Sequence, residues 1–150
     1  MAGLTSAITT TFKKELLEGD HDFNNGADTF KIALFKANSS ISGTYGAAPT
    51  NYSDVTGNSD ETTGTGYSSG GNTLTNVNPT TSGTTAFADF ADTSWTSATF
   101  TTRGAIIYNT NDSNSAVMII DFGADFSVSG GTFTVEFPAA GASTAILRIA

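Results

Sequence analysis

A chain of 150 residues is long enough to bury one compact core without metal or disulfide staples. The absence of cysteine excludes disulfides, thiolate metal sites and thiol nucleophiles together. Fourteen acidic against six basic residues give a net charge of -8 and a pI near 4.2, which opposes a phosphate backbone and argues against direct nucleic-acid binding.

The opening residues lack a basic region followed by a long apolar stretch, and no apolar run approaches the ~18 residues needed to span a bilayer, so neither a signal peptide nor a membrane anchor is expected. Ile8, Phe12 and Leu16 recur at four-residue spacing, with Leu17 beside them and Lys13, Lys14, Glu15 and Glu18 on the other face. This spacing predicts a short amphipathic helix over about residues 5–18, stopped by Gly19.

A polar turn over Asp20 to Asp28 leads into Thr29 to Lys36, where Phe30, Ile32 and Leu34 alternate with Thr29, Lys31 and Ala33 in strand period. From about 37 to 85 the chain turns to Ser, Thr, Gly and Asn, with no Lys or Arg and isolated anchors at Ile41, Tyr45, Tyr52, Val55, Tyr67, Leu74 and Val77. The anchors favour short, weakly patterned strands joined by glycine turns, and a long section of this kind is expected to carry intersubunit contacts and to order partly on contact.

Residues 85–150 read as the β core, with strands at Thr85 to Phe90, Ser97 to Thr102, Gly104 to Asn109, Ala116 to Phe122, Thr132 to Phe137 and Thr144 to Ile149. Turns are expected at Asn109 to Asn114, at Ser129-Gly130-Gly131 and at Pro138 to Gly141. The unbroken apolar runs at Ile106-Ile107 and Val117 to Ile120 predict strands covered on both faces. On the last long strand, Phe133, Val135 and Phe137 face inward, and Thr132, Thr134 and Glu136 outward. The whole chain is therefore expected to form a single, mainly β domain, an antiparallel β-sandwich or jelly-roll-like barrel with one N-terminal helix.

Little of this sequence carries chemistry. His21, the lone histidine, stands in Asp20-His21-Asp22 after the helix stop and reads as a solvated turn residue rather than a general base. Asp89, Asp92, Asp121, Asp125 and Glu136 are available for paired-carboxylate chemistry, but no motif fixes two of them at the required separation. Asp20-x-Asp22 and Asp121-x-x-x-Asp125 lack the spacing of a calcium loop. Gly64-Thr-Gly66 and Ser69-Gly70-Gly71 lack the setting of a phosphate loop. Arg103, the only cation between Lys36 and Arg148, is expected to pair with Asp89, Asp92 or Asp121, or to cross a subunit interface. Asn38, Asn51 and Asn111 begin glycosylation sequons that matter only in a eukaryotic secretory pathway. No catalytic, cofactor-binding or metal residue is assigned, and the chain is expected not to be an enzyme.

The run TTTFKKELLEG at Thr9–Gly19, TFKIAL at Thr29–Leu34, GTGYSSGGNTL at Gly64–Leu74 and TRGAIIYN at Thr102–Asn109 resemble a small structural protein recurrent in tailed phages of marine and other aquatic bacteria. Ile120–Gly123 and Ala145–Ile149 extend the resemblance over nearly the whole chain. It implies a virion component without enzymatic activity, assembled in the host bacterial cytoplasm. The expected role is capsid decoration or cement, with the major capsid protein and copies of the chain itself as partners. A tail tube, collar or fibre-associated place is the alternative. A carbohydrate-binding module, with Trp95, Tyr45, Tyr52 or Tyr67 stacking on sugar, is a third reading that an exposed coplanar aromatic pair would favour.

Overall fold

The computed structural model describes residues 2–150. In chain order it contains β1 (Gly3–Leu4), β2 (Ala7–Ile8), α1 (Thr10–Glu18), β3 (Phe30–Phe35), a 3-10 turn (Asn38–Ser40), β4 (Thr44–Tyr45) and α2 (Ser53–Gly57). There follow β5 (Asn72–Thr73), β6 (Asn76–Ser82), β7 (Thr85–Phe90), β8 (Thr93–Asn109), β9 (Ser115–Val135) and β10 (Leu147–Ile149). The mainly β class expected from the sequence holds. The layout is sandwich-like, and the sheets do not close into a barrel.

A five-stranded sheet in the order β2-β9-β8-β3-β5 forms the centre, entirely antiparallel, and β10-β7-β6 forms a second antiparallel sheet. The two-residue β1 and β4 pair in parallel. Period-2 alternation sends Phe30, Ile32, Leu34, Ala105 and Ile107 to one face of the central sheet, and Ala33, Phe35, Ile106 and Tyr108 to the other. Phe12 of α1, Phe23 and the second sheet's Ala88, Phe90 and Leu147 cover the first face. Ile41, Tyr45 and Val55 cover the second. The apolar runs in β8 and β9 are thus covered on both sides, and half of that cover comes from the polar section rather than from residues 85–150.

The helix is shorter than its apolar spacing suggests. Ile8 belongs to β2, paired with Met118 of β9, and the helix starts only after Thr9, whose Oγ1 accepts the Phe12 N–H at 3.2 Å. Gly19 ends it in the left-handed region with φ of 85°. Leu17, expected beside the buried stripe, is 90 % exposed.

One expected break between strands and one expected turn are absent. Ser97 to Thr102 and Gly104 to Asn109 are one strand, because Gly104 lets the Ile120 carbonyl come so close that a Cβ would collide with it. Ser129-Gly130-Gly131 is a bulge inside β9, with Thr99 opposite Ser129, Ala98 opposite Gly131 and Gly130 at φ of 62°. The hairpin turn between Asn109 and Ser115 and the irregular stretch after Val135 lie where expected, while the last strand shrinks to Leu147–Ile149.

Candidate functional site

A polar cluster surrounds His21, and it corrects the reading of that residue. His21 is buried, 8 % exposed, just beyond the α1 cap. Its Nε2 lies 3.0 Å from Glu15 Oε2 on α1, and its Nδ1 lies 2.9 Å from Asn109 Nδ2 at the end of β8. Asn109 can be oriented in only one way: its Oδ1 accepts the Asn111 N–H at 2.9 Å, and its Nδ2 donates to Asp28 Oδ2 at 2.7 Å. His21 Nδ1 is therefore an acceptor, and Nε2 carries the proton that Glu15 receives.

That tautomer decides what the cluster can do. Glu15, His21 and Asp112 bring one ligand atom each within 4.8 Å of one another, a spacing that invites a cation. A metal needs the Nε2 lone pair, however, and the locked Asn109 amide places the proton there. Burial and the neighbouring Glu15 carboxylate push the Asp112 carboxyl above its ordinary pKa. Ser115 Oγ donates to Glu15 Oε2 at 2.6 Å rather than to the imidazole, so hydroxyl and histidine form no nucleophile–base relay. The cluster clamps the helix end to the β8–β9 turn. Its sequence signal was the alternation in Asp20-His21-Asp22-Phe23, where the acids are exposed and the rings buried.

Four of the five carboxylates considered for catalysis are engaged in holding the fold. Asp89 accepts the Phe90 amide from a buried position, and Asp92 accepts the Phe137 amide at 2.8 Å. Asp121 receives Arg103 through Nε at 2.7 Å and Nη2 at 3.4 Å, so the arginine's partner is the internal acid across the β8–β9 ladder. This guanidinium holds the Asp121 carboxyl below its ordinary pKa. Asp125 accepts the Asn38 amide at 2.9 Å. Glu136 is exposed and has no partner among the described residues. Of the calcium candidates, Asp22 instead closes a local turn onto Asn24.

Two acids that the sequence reading passed over organise the polar section. Asp60 accepts the Ser42 amide at 2.9 Å, the Gly43 amide at 2.8 Å and the Tyr45 hydroxyl at 2.7 Å, with Lys36 Nζ at 3.1 Å. Glu61 accepts the Tyr52 and Tyr67 hydroxyls at 2.6 and 2.8 Å, Ser69 Oγ at 2.9 Å and the Gly70 amide at 2.7 Å. Adjacent in sequence, they serve different loop segments, and the section is knit to the sheet by these bonds as well as by its apolar anchors.

The aromatics proposed for sugar stacking are occupied internally. Trp95 is 3 % exposed, its ring centroid 6.0 Å from Tyr67 and 6.0 Å from Phe133. Tyr45 is buried, and Tyr52 stacks on Tyr108 at 4.5 Å. The chain matches no known family model, no curated protein and no solved structure.

The outer side of β9 remains open. β2 pairs with β9 only at Met118 and Ile119, leaving the edge beyond Asp121 without a strand partner among the described residues. Phe126 to Val135 contains neither a charge nor a proline, and the facing segment Thr93 to Thr102 contains none either. Other edges are short, as in β2, β5 and β10, carry Pro79, as in β6, or are bridged by a loop, as β8 is by Thr65 at Thr99. No described helix is long and apolar enough to cross a membrane.

Proposed function

We propose that this chain is a non-enzymatic structural protein of a bacteriophage virion, a capsid decoration or cement protein that stabilises the head through contacts with the major capsid protein and with copies of itself. The observation that carries the reading is the uncharged, unpaired edge of β9 in a chain with a net charge of -8. Edges of this length are normally blunted by charge, proline, bulges or cover; β9 has bulges but neither charge nor proline over Phe126–Val135, and its outer side there suits addition of a strand from another subunit. Ionisable groups engaged in holding loops and turns, and the resemblance of the sequence to small phage structural proteins, support the same reading.

The mechanism is mass action: a protein that binds only the assembled shell stabilises it by RT ln(1 + [L]/Kd), and symmetry repeats each weak contact many times. Cryo-electron microscopy of the particle containing the chain tests it. A regular array on the head is the expected result. Density in the tail would move the function to a tube, collar or fibre-associated subunit, and absence from the particle would remove the virion reading.

A further inference from the structure

β9 is curled back on itself. Phe122 and Phe133 are eleven residues apart, which in a straight strand would separate them by roughly 36 Å, yet their ring centroids are 6.1 Å apart. The curl is made where the ladder with β8 slips by several residues between Asp121 and Phe126, with Gly123 at φ of 82°, and again at the Gly130 bulge. It encloses an open cup of about 290 Å³, walled by Phe122, Phe126 and Phe133 and bordered by Glu136.

The three rings stand at angles to one another, with Phe122 at 79° to Phe126 and at 51° to Phe133. Phe126 is 47 % exposed, although rings of this size usually bury more. Ring faces carry negative potential, and the unpartnered carboxylate of Glu136 adds a full charge on the same border. An apolar occupant would satisfy the rings but leave the Glu136 charge on the border of the cup without a partner. A cation on an alkyl stem satisfies both. The volume lies at the bottom of the range for ligand pockets and fits one side chain rather than an extended small molecule. The unpaired backbone of β9 runs along the cup, so a peptide chain is a better carrier for that cation than a free ion.

We propose that the cup formed by Phe122, Phe126, Phe133 and Glu136 is an aromatic-acidic receptor for a lysine or arginine side chain, presented by an extended segment of a partner subunit along the β9 edge. This deepens the assembly reading by naming the contact, but its geometry stands without the particle. The peptide experiment below can fail while the chain is still found on heads, and the reverse can also occur.

The test is an NMR titration of the whole chain with a capped five-residue peptide carrying lysine between two valines. The same peptide with norleucine in place of lysine, and tetramethylammonium chloride, serve as comparisons. Saturable shifts confined to amides 122–136 and the three phenylalanine rings are expected with the lysine peptide, weaker than millimolar binding being ruled out by saturation at about 10 mM. The norleucine peptide should bind several-fold more weakly. Phe126→Ala and Glu136→Gln should each weaken the lysine peptide by roughly two- to fivefold. Both side chains are exposed, and an unchanged amide spectrum elsewhere verifies the fold. Equal binding of the norleucine peptide, or no binding of either, would overturn the proposal. Tetramethylammonium binding as tightly as the lysine peptide would overturn the partner side chain as its natural occupant.

Discussion

Glu15 Oε2 lies 3.0 Å from His21 Nε2 and 2.6 Å from Ser115 Oγ, joining the last turn of the helix, the segment after its cap and the first residue of the long strand β9. His21 is the hub of that joint. His21→Ala removes a buried ring, strips Asn109 Nδ2 of one acceptor and deprives Glu15 of one donor. A loss of about 2–4 kcal/mol of unfolding free energy is expected by urea denaturation. A loss under half a kcal/mol would show that the clamp contributes nothing to the fold.

Asp60 gives a pH dependence with a definite sign. Burial raises its pKa, but the Ser42 and Gly43 amides, the Tyr45 hydroxyl and Lys36 outweigh that effect and hold the carboxyl at about 2 against an ordinary 3.8. A folded value below the unfolded one stabilises the fold above the unfolded value, and this contribution is lost as pH falls through the folded value. The contribution is roughly 2 kcal/mol, disappearing between about pH 4 and pH 2. Asp60→Asn should be less stable than the parent at pH 7 by at least that amount. The gap between the two proteins should narrow across the acid window. Parallel stability curves for the two would contradict the assignment.

Much of the central sheet was legible because its signals are local. Alternation located β3, apolar runs placed the covered parts of β8 and β9, and Gly19 marked the helix end. Where the reading failed, the cause was a partner distant in sequence. Gly104 looks like punctuation until the Ile120 carbonyl is opposite it, and Ile8 looks helical until β9 pairs with it. His21 looks solvated until Asn109, 88 residues away, caps its ring. Asp60 and Glu61 look like ordinary loop acids, since their partners are spread from Lys36 to Gly70. The cup depends on a curl produced by bulges, which one-residue alternation does not encode.

Asp89 has the opposite sign from Asp60. It is 1 % exposed and its Oδ2 has no hydrogen-bond partner among the described residues, so burial raises its pKa, only partly offset by the Phe90 and Ile146 amides. At pH below the unfolded value both states are protonated and nothing is lost. As pH rises from there towards the folded value, the native state becomes progressively less stable, because the unfolded carboxyl ionises more easily. Asp89→Asn, nearly the same shape without the charge, should therefore raise the thermal midpoint at pH 7. The advantage should vanish in acid. A variant less stable at neutral pH would show that the Asp89 charge is compensated in the fold.

Trp95 is the only tryptophan, so its emission reports one site. Packed among Tyr67, Phe100 and Phe133, it should emit at short wavelength and resist quenching by iodide until the protein unfolds. Its Nε1–H has no acceptor among the described residues, which removes one cost of replacing it, so Trp95→Phe should be tolerated better than Trp95→Ala. The alanine variant should lose about 3–5 kcal/mol, as expected for an emptied aromatic site. Soluble oligosaccharides should leave the emission unchanged, because a ring 3 % exposed has no face to offer a sugar. A saturable shift in emission on adding sugar would revive the carbohydrate-binding reading and require the β8–β9 hairpin to open.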